Sequence, residues 1–150
     1  MTDLLKTREF LMTEKLFSIR DKVNVMDINK EPIGIFSSKL ISLGKNYRLY
    51  DIKDQEKAIL TVKEKVVSLR SSYTFFKGDK EDANEIGKLK AKLVSIKPNF
   101  WFEDPSGNKL FTMKGKLFRL TYKILKEDKE IAEISKKLPC NTDGGIKVKN

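Results

Sequence analysis

Lys65-Val66-Val67-Ser68-Leu69 is the clearest copy of a five-residue phrase that recurs along this chain. The other copies are Lys15-Leu16-Phe17-Ser18-Ile19, Lys39-Leu40-Ile41-Ser42-Leu43, Lys92-Leu93-Val94-Ser95-Ile96 and, with arginine in place of serine, Lys116-Leu117-Phe118-Arg119-Leu120. Their lysines stand 24, 26, 27 and 24 residues apart. A fixed period of this size indicates a repeated architecture, in which each period is one supersecondary unit.

Each unit predicts short β-strands, because apolar residues alternate with polar ones and turn-forming residues separate the runs. In the fourth unit, Phe100-Trp101-Phe102 is followed by a turn from Glu103 to Asn108 and by a return from Leu110 to Met113. Three strands per unit over five units predict about twelve to fifteen strands. Ile131 and Ile134 also fit one face of a helix, although the pattern of the preceding units favours a strand.

A sheet of twelve or more strands is able to close on itself, so the strand count favours a β-barrel. The alternative repeat architecture, a five-bladed propeller, needs four strands and about 40 residues per blade. A period of 24 to 27 residues is too short for such a blade. The sequence therefore predicts an all-β, mainly antiparallel barrel.

The two ends of the chain fall outside the repeats. Leu4, Leu5, Leu11 and Met12 fit one face of a short helix, whereas Phe10-Leu11-Met12 fits an entry strand, which we favour. From Pro139 onward, the stretch from Asn141 to Gly145 is rich in structure-breaking residues and predicts a flexible tail. We therefore expect one β domain over residues 1–138 and a C-terminal tail over residues 139–150.

The chain of 150 residues carries 31 basic and 21 acidic side chains, for a net charge of +10. Residues 105–150 hold +6 of this excess and residues 1–104 hold +4. No segment approaches the roughly 20 apolar residues of a membrane-spanning helix, and the N-terminus does not resemble a secretory signal. Cys140 is the single cysteine. Together these features favour a soluble protein of the reducing cytoplasm.

The composition favours a non-enzymatic protein with neither a metal nor another cofactor. The chain contains no histidine, the most common general base and metal ligand. Cys140 therefore has no histidine to activate it, and the aspartates of the predicted turns are expected there for backbone hydrogen bonding. Trp101, between two phenylalanines, is expected in the core, with a stacking platform for bases or sugars as the alternative.

Basic residues are the feature that points to a binding function. Six of them lie on a predicted turn, the strand after it and the neighbouring hairpin: Lys114, Lys116, Arg119, Lys123, Lys136 and Lys137. Each such residue near an anionic bilayer contributes about 1 kcal/mol, so we expect a weak site for anionic lipid headgroups or an acidic protein. The alternative is nucleic-acid binding. We expect it to be non-specific, because arginine, the residue that most often contacts guanine, occurs only five times.

From Phe100 to Leu110, an aromatic-rich strand is followed by an Asp-x-x-Gly-Asn turn and a returning strand. This pattern resembles that of the LURP-one-related family. The resemblance extends from about Phe10 to Lys137. It implies a tubby-like fold, shared with the phospholipid scramblases, in which about twelve antiparallel strands form a barrel around an apolar C-terminal helix. Beyond that point this chain offers only Asn141 to Asn150, so we expect the central helix to be missing.

The resemblance also implies a non-enzymatic binding module, peripheral at a membrane, with an anionic phospholipid surface as its expected partner. Tubby-like relatives bind phosphoinositide headgroups, but none of their binding residues matches a position in this chain. A scaffold protein is a further alternative. Because an inner face without its helix exposes apolar surface, and such surface often marks an interface, self-association is also expected.

Overall fold

The computed structural model describes residues 4–14, 22–41, 44–67, 70–79, 84–91, 99–115, 121–136 and 143–148. This part of the chain contains a 3-10 helix, Leu4–Lys6, and twelve β-strands. The strands are β1 Glu9–Glu14, β2 Lys22–Met26, β3 Pro32–Ile41, β4 Gly44–Asp51, β5 Asp54–Val67, β6 Arg70–Lys77, β7 Glu85–Ala91, β8 Asn99–Glu103, β9 Lys109–Gly115, β10 Thr121–Lys126, β11 Lys129–Lys136 and β12 Asp143–Val148.

All of these strands belong to one antiparallel sheet. Each strand from β2 to β11 pairs with the strands before and after it in the chain, and β1 pairs with both β2 and β12. The prediction of an all-β, antiparallel fold is therefore confirmed. The strand interpretation of Phe10 to Met12 is correct, because they lie in β1, and that of Ile131 to Ile134 is correct, because they lie in β11.

The prediction of three strands per repeat unit was wrong. β5 runs without a break from Asp54 to Val67, so the returning strand of one unit and the lysine phrase of the next form a single strand. β3 joins Ile33 to Ile41 in the same way. A polar residue such as Lys63 does not end a strand, because an antiparallel sheet tolerates polar positions on a solvated face. For these two copies the period of the lysine phrase therefore corresponds to one two-stranded hairpin. The copies at 15–19, 92–96 and 116–120 lie outside the described residues.

Tight turns with positive φ connect strands at one end of the sheet. Gly107 has a φ of 87°, and the Asp104 carboxylate accepts backbone hydrogen bonds from Asn108 and Ser106, each 2.9 Å long. These bonds, above all that from Asn108, hold the pKa of Asp104 below its ordinary value. The predicted turn between β8 and β9 is thus confirmed. The turn between β10 and β11 contains only Glu127 and Asp128, at φ 50° and 62°, in the left-handed geometry of tight hairpins.

Alternation along the strands gives the sheet two faces of different chemistry. The register of β7, β8 and β9 places Leu89, Phe102 and Phe111 opposite one another on one side, which we call the inner face. The other side, the outer face, carries residues between these positions, such as Trp101 and Lys114. The inner face is largely apolar, and the outer face is rich in lysine.

The 3-10 helix covers the inner face of β1–β5. Leu4 is 5% exposed and packs with Val25 and Ile33 in a buried cluster. Leu5, the next residue, is 80% exposed. The strand interpretation of the N-terminus is therefore correct for the residues from Glu9. The helix interpretation was wrong, because only Leu4–Lys6 are helical and Leu11 and Met12 lie in β1.

The segment predicted to be a flexible tail contains a strand, which corrects that prediction for Asp143–Val148. β12 pairs with β11 on one side and with β1 on the other, where Gly144 lies opposite Met12. Backbone hydrogen bonds to two neighbouring strands satisfy this segment without many apolar side chains. Among the described residues, Leu4–Lys6 is the only helix, so the structure there has almost no helical content.

Candidate functional site

Two of the six predicted basic residues are described in full, and they lie side by side on the outer face. Lys114 of β9 and Lys123 of β10 are directly opposite each other in the ladder. Lys114 is exposed, and Lys123 is half-buried. Lys136 is the last residue of β11, opposite Gly144. The remaining three, Lys116, Arg119 and Lys137, lie outside the described residues.

Lys123 is already paired with an acidic residue. Its ammonium lies 2.9 Å from Oε2 of Glu130, and Glu133 is its neighbour on β11. Like charges directly opposite each other destabilise a sheet, so the Glu130 carboxylate reduces the repulsion between Lys123 and Lys114. Within the described part of the chain Lys114 forms no ion pair. Lys114 is therefore the stronger candidate to bind an anion.

A second group on the outer face, the Trp101 cluster, comprises Trp101, Glu103, Lys90 and Lys109 of the neighbouring strands β7, β8 and β9. The ammonium of Lys109 lies 4.9 Å from the centroid of the Trp101 ring. The indole N–H donates a hydrogen bond of 2.7 Å to Oε1 of Glu103. The Lys90 ammonium lies 2.7 Å from Oε2 of the same carboxylate.

The expectation that Trp101 packs in the core was wrong. Successive residues of a strand face opposite sides, so Phe100 and Phe102 lie on the inner face and Trp101 lies half-buried on the outer face. Sequence reasoning also missed Lys90 and Lys109. The sequence did contain a signal for the position of Trp101. Three consecutive aromatic residues in a five-residue strand cannot all share one face, so the middle one had to lie opposite the other two.

Glu103 is held as an anion inside the Trp101 cluster. The hydrogen bond from Lys90, followed by the bond from the Trp101 indole, lowers the pKa of Glu103 below its ordinary value. An ionised carboxylate only accepts hydrogen bonds, and here each of its oxygens receives one. Glu103 therefore orients Lys90 and the indole ring, and it leaves the ammonium of Lys109 over the ring.

We expect Glu103 to stay ionised at a lower pH than an isolated glutamate. Because its pKa is lower in the folded state, its contribution to stability is present above the ordinary value of 4.5 and is lost as the pH falls through the lowered value. An NMR titration of the side-chain carboxyl carbon measures this pKa. Lys90→Gln removes the largest cause and should raise the pKa, whereas Lys57→Gln, at an exposed position of β5, should not. An unchanged pKa in Lys90→Gln would contradict this assignment.

The two groups form one surface on β7–β10, which we call the outer basic face. Thr112 lies opposite Trp101, and Lys114 is two residues further along β9, on the same side. Lys90, Lys109, Lys114 and Lys123 therefore share the outer face of these strands with Trp101. Glu103 and Glu130 pair with Lys90 and Lys123, and the Glu85 carboxylate lies 3.9 Å from the ammonium of Lys88 of β7. Among the described lysines of this surface, the positive charge that remains for a ligand is therefore that of Lys109 and Lys114.

An apolar cavity of about 400 Å³ lies against the inner face of β6–β11. It is lined by Phe75, Leu89, Phe102, Phe111, Thr112, Met113, Ile124 and Ile134. The Phe75 and Phe102 rings meet edge to face, with their centroids 5.4 Å apart. The volume falls within the range of about 300–1,000 Å³ that is usual for ligand pockets.

The outer basic face offers ammonium groups and an indole ring, and the cavity offers apolar side chains. Among the described residues, no group of three or more His, Cys, Asp or Glu side chains is placed to hold a metal ion. Cys140 lies outside the described residues.

The family of this chain is shown by a comparison of its sequence with models of known protein families. The sequence model of the LURP-one-related proteins matches residues 8–148. The chain belongs to the LURP-one-related family. This membership confirms the resemblance drawn from the stretch between Phe100 and Leu110. No curated protein matches this LURP-one-related chain.

A solved structure is similar to this LURP-one-related chain in fold. It is the X-ray structure of a protein from Arabidopsis thaliana, with a TM-score of 0.64 and 14% sequence identity. The match covers 95% of this chain and 81% of the Arabidopsis protein. At this identity the likeness concerns the fold alone. Within the described ranges, no helix has the length and apolar character needed to cross a membrane.

Proposed function

We propose that this LURP-one-related chain is a non-enzymatic, tubby-like binding module that binds anionic phospholipid surfaces as a peripheral protein in the cytoplasm. The binding surface is the outer basic face. One observation carries the proposal, namely the Lys109 ammonium 4.9 Å from the ring of Trp101 on that face.

A tryptophan with a lysine over its ring suits the boundary between lipid headgroups and water. Tryptophan is enriched at membrane interfaces, because its ring is apolar while its N–H forms a hydrogen bond. Each lysine near an anionic surface contributes about 1 kcal/mol, and salt screens this attraction. Lys109 and Lys114 are both exposed. Together they are expected to contribute about 2 kcal/mol.

The proposal includes a tubby-like β-barrel as the framework of the binding surface. Its support is the pairing of β1, in which Leu11 lies opposite Met26 of β2 and opposite Gly145 of β12. The order of paired strands thus returns to its start. Such a framework has no unpaired edge strand to associate with another chain, and it holds the outer residues of β7–β10 at a fixed spacing.

Co-sedimentation with liposomes tests the lipid surface. At low salt we expect the chain to bind vesicles that contain phosphatidylserine and to bind neutral phosphatidylcholine vesicles much more weakly. The variant Lys109→Glu/Lys114→Glu should weaken this binding at least about thirtyfold, because the loss of the two positive charges alone is equivalent to about 2 kcal/mol. The control Lys53→Glu/Lys57→Glu makes the same change in net charge at exposed positions near the β4–β5 turn and should weaken binding far less.

Trp101 supplies an independent measurement, because it is the single tryptophan of the chain. Its fluorescence should shift to shorter wavelength with phosphatidylserine vesicles and remain unchanged with neutral ones. Equal weakening by the two double variants would reduce the effect to net charge and would contradict the proposed surface. Absence of binding to the acidic vesicles would exclude a lipid partner and favour an acidic protein.

A further inference from the structure

We propose that the apolar cavity against β6–β11 binds the hydrocarbon chain of a long-chain fatty acid, whose carboxylate pairs with Lys126. This site goes beyond the proposed binding of membrane surfaces and does not depend on it. The cavity and the outer basic face lie on opposite sides of the same strands, so each is open to a separate test.

The lining of the cavity favours an apolar ligand over water. Seven of its eight residues are apolar, and a buried water needs about two to four polar partners. The Phe102 ring meets Phe75 and Phe111 at centroid distances of 5.4 Å and 6.1 Å. Phe75, Phe102 and Phe111 line the cavity, so a hydrocarbon chain there would supply the dispersion contacts that an empty cavity forfeits.

The size of the cavity is compatible with a single acyl chain. Its volume is about 400 Å³, within the range that is usual for ligand pockets. An acyl chain is narrow, and it bends to follow an irregular cavity.

One end of the inner face carries cations where the fatty acid would place its carboxylate. The Lys126 ammonium lies 6.0 Å from the centroid of Phe111, which lines the cavity. Lys77 lies two residues beyond the lining residue Phe75 on β6, opposite Leu60. β6 and β10 run in the same direction in the antiparallel order, so Lys77 and Lys126 end their strands at the same end of the sheet. In the part of the chain that is described, Lys126 forms no ion pair.

The inner face carries an acidic group toward the other end. Glu64 and Tyr73 lie opposite each other on β5 and β6, and the Tyr73 hydroxyl donates a hydrogen bond of 3.3 Å to Oε1 of Glu64. Burial, followed by the charge of Glu64, raises the pKa of Tyr73. A second carboxylate would be disfavoured beside Glu64. The charges of the inner face therefore select one orientation of the ligand, with its carboxylate at the end that bears Lys126.

Isothermal titration calorimetry with oleate, below the concentration at which it forms micelles, tests this site in the full chain. We expect one oleate per chain. Leu89→Phe and Met113→Phe each add volume inside the cavity and should weaken oleate binding at least about tenfold. Their melting temperatures, measured without ligand, should remain at or above that of the unmodified chain, because the added atoms fill empty space.

The pairing of the fatty-acid carboxylate with Lys126 is tested with a neutral ligand of the same length. Lys126→Glu should weaken oleate binding about tenfold and leave the binding of oleyl alcohol unchanged. Lys57→Glu, an exposed position on β5, makes the same change in charge and should leave the binding of both ligands unchanged.

Two results would overturn the fatty-acid site. Oleate affinity that is equal in the unmodified chain, Leu89→Phe, Met113→Phe and Lys126→Glu would place the ligand elsewhere. A dimer in analytical ultracentrifugation that Leu89→Phe converts to a monomer, with no oleate bound, would show that a second copy of the chain occupies the cavity. Vesicle binding without oleate binding would overturn this site alone, and oleate binding without vesicle binding would overturn only the proposed function.

Discussion

Gly87→Ala is expected to lower the free energy of unfolding by about 3 kcal/mol and the melting temperature by about 6–12 °C. A Cβ at this position would overlap the carbonyl oxygen of Glu103 and lie 2.7 Å from the ring of Phe102. Neither neighbour is the far end of a flexible chain, so β7 and β8 would have to move apart. Gly87 is also buried, opposite Phe75 of β6. The loss is large beside the total stability of about 5–15 kcal/mol that is usual for a domain.

Gly107→Ala is the matched control for Gly87→Ala. Gly107 has a φ of 87°, and no atom lies within 4 Å of a Cβ built there. Its substitution should cost only the penalty of a left-handed backbone, about 1 kcal/mol. Urea denaturation followed by circular dichroism measures both variants. Equal losses would show that β7 and β8 do not approach each other as closely at Gly87 as the structure indicates.

Leu4→Ala is expected to lower the free energy of unfolding by about 2–5 kcal/mol, the range for removal of a buried leucine side chain. Leu4 packs against Val25 and Ile33, and a Cβ at Gly34 would lie only 3.0 Å from its Cδ2. It therefore fills space on the inner face of β1–β5. We also expect Leu4→Ala to bind more of a hydrophobic dye, because the substitution uncovers that face.

Leu5→Ala makes the same chemical change one residue further along the 3-10 helix. Leu5 is 80% exposed, so its substitution should change the free energy of unfolding by no more than about 0.5 kcal/mol. Thermal denaturation and dye binding of the two variants give the comparison. Similar small effects of both would mean that Leu4 does not cover the inner face.

The candidate site was predictable only in part, because its two groups depend on different kinds of information. Lys114 and Lys123 were placed together from a local pattern, the alternation of polar residues on a strand after a turn. The Trp101 cluster depends on the register of β7 against β8 and of β8 against β9, including a shift between Phe102 and Glu103. Such a register bulge is set by the packing of both strands, so Lys90 and Lys109 could not be assigned to Trp101 from the pattern.

The amino-acid sequence by itself determined the strands, the antiparallel hairpins and the turn from Asp104 to Asn108, because alternation and turn chemistry act between residues close in the chain. Only the tertiary structure decided that the lysine phrase continues β3 and β5 and that Asp143–Val148 form a strand. Glu9 pairs with Lys147 across almost the whole chain, and two glycines of β12 carry no side chain to signal that pairing. β12 is a strand because β1 and β11 both present unpaired backbone groups to it, and a segment between two such neighbours is held by their hydrogen bonds whatever its own composition.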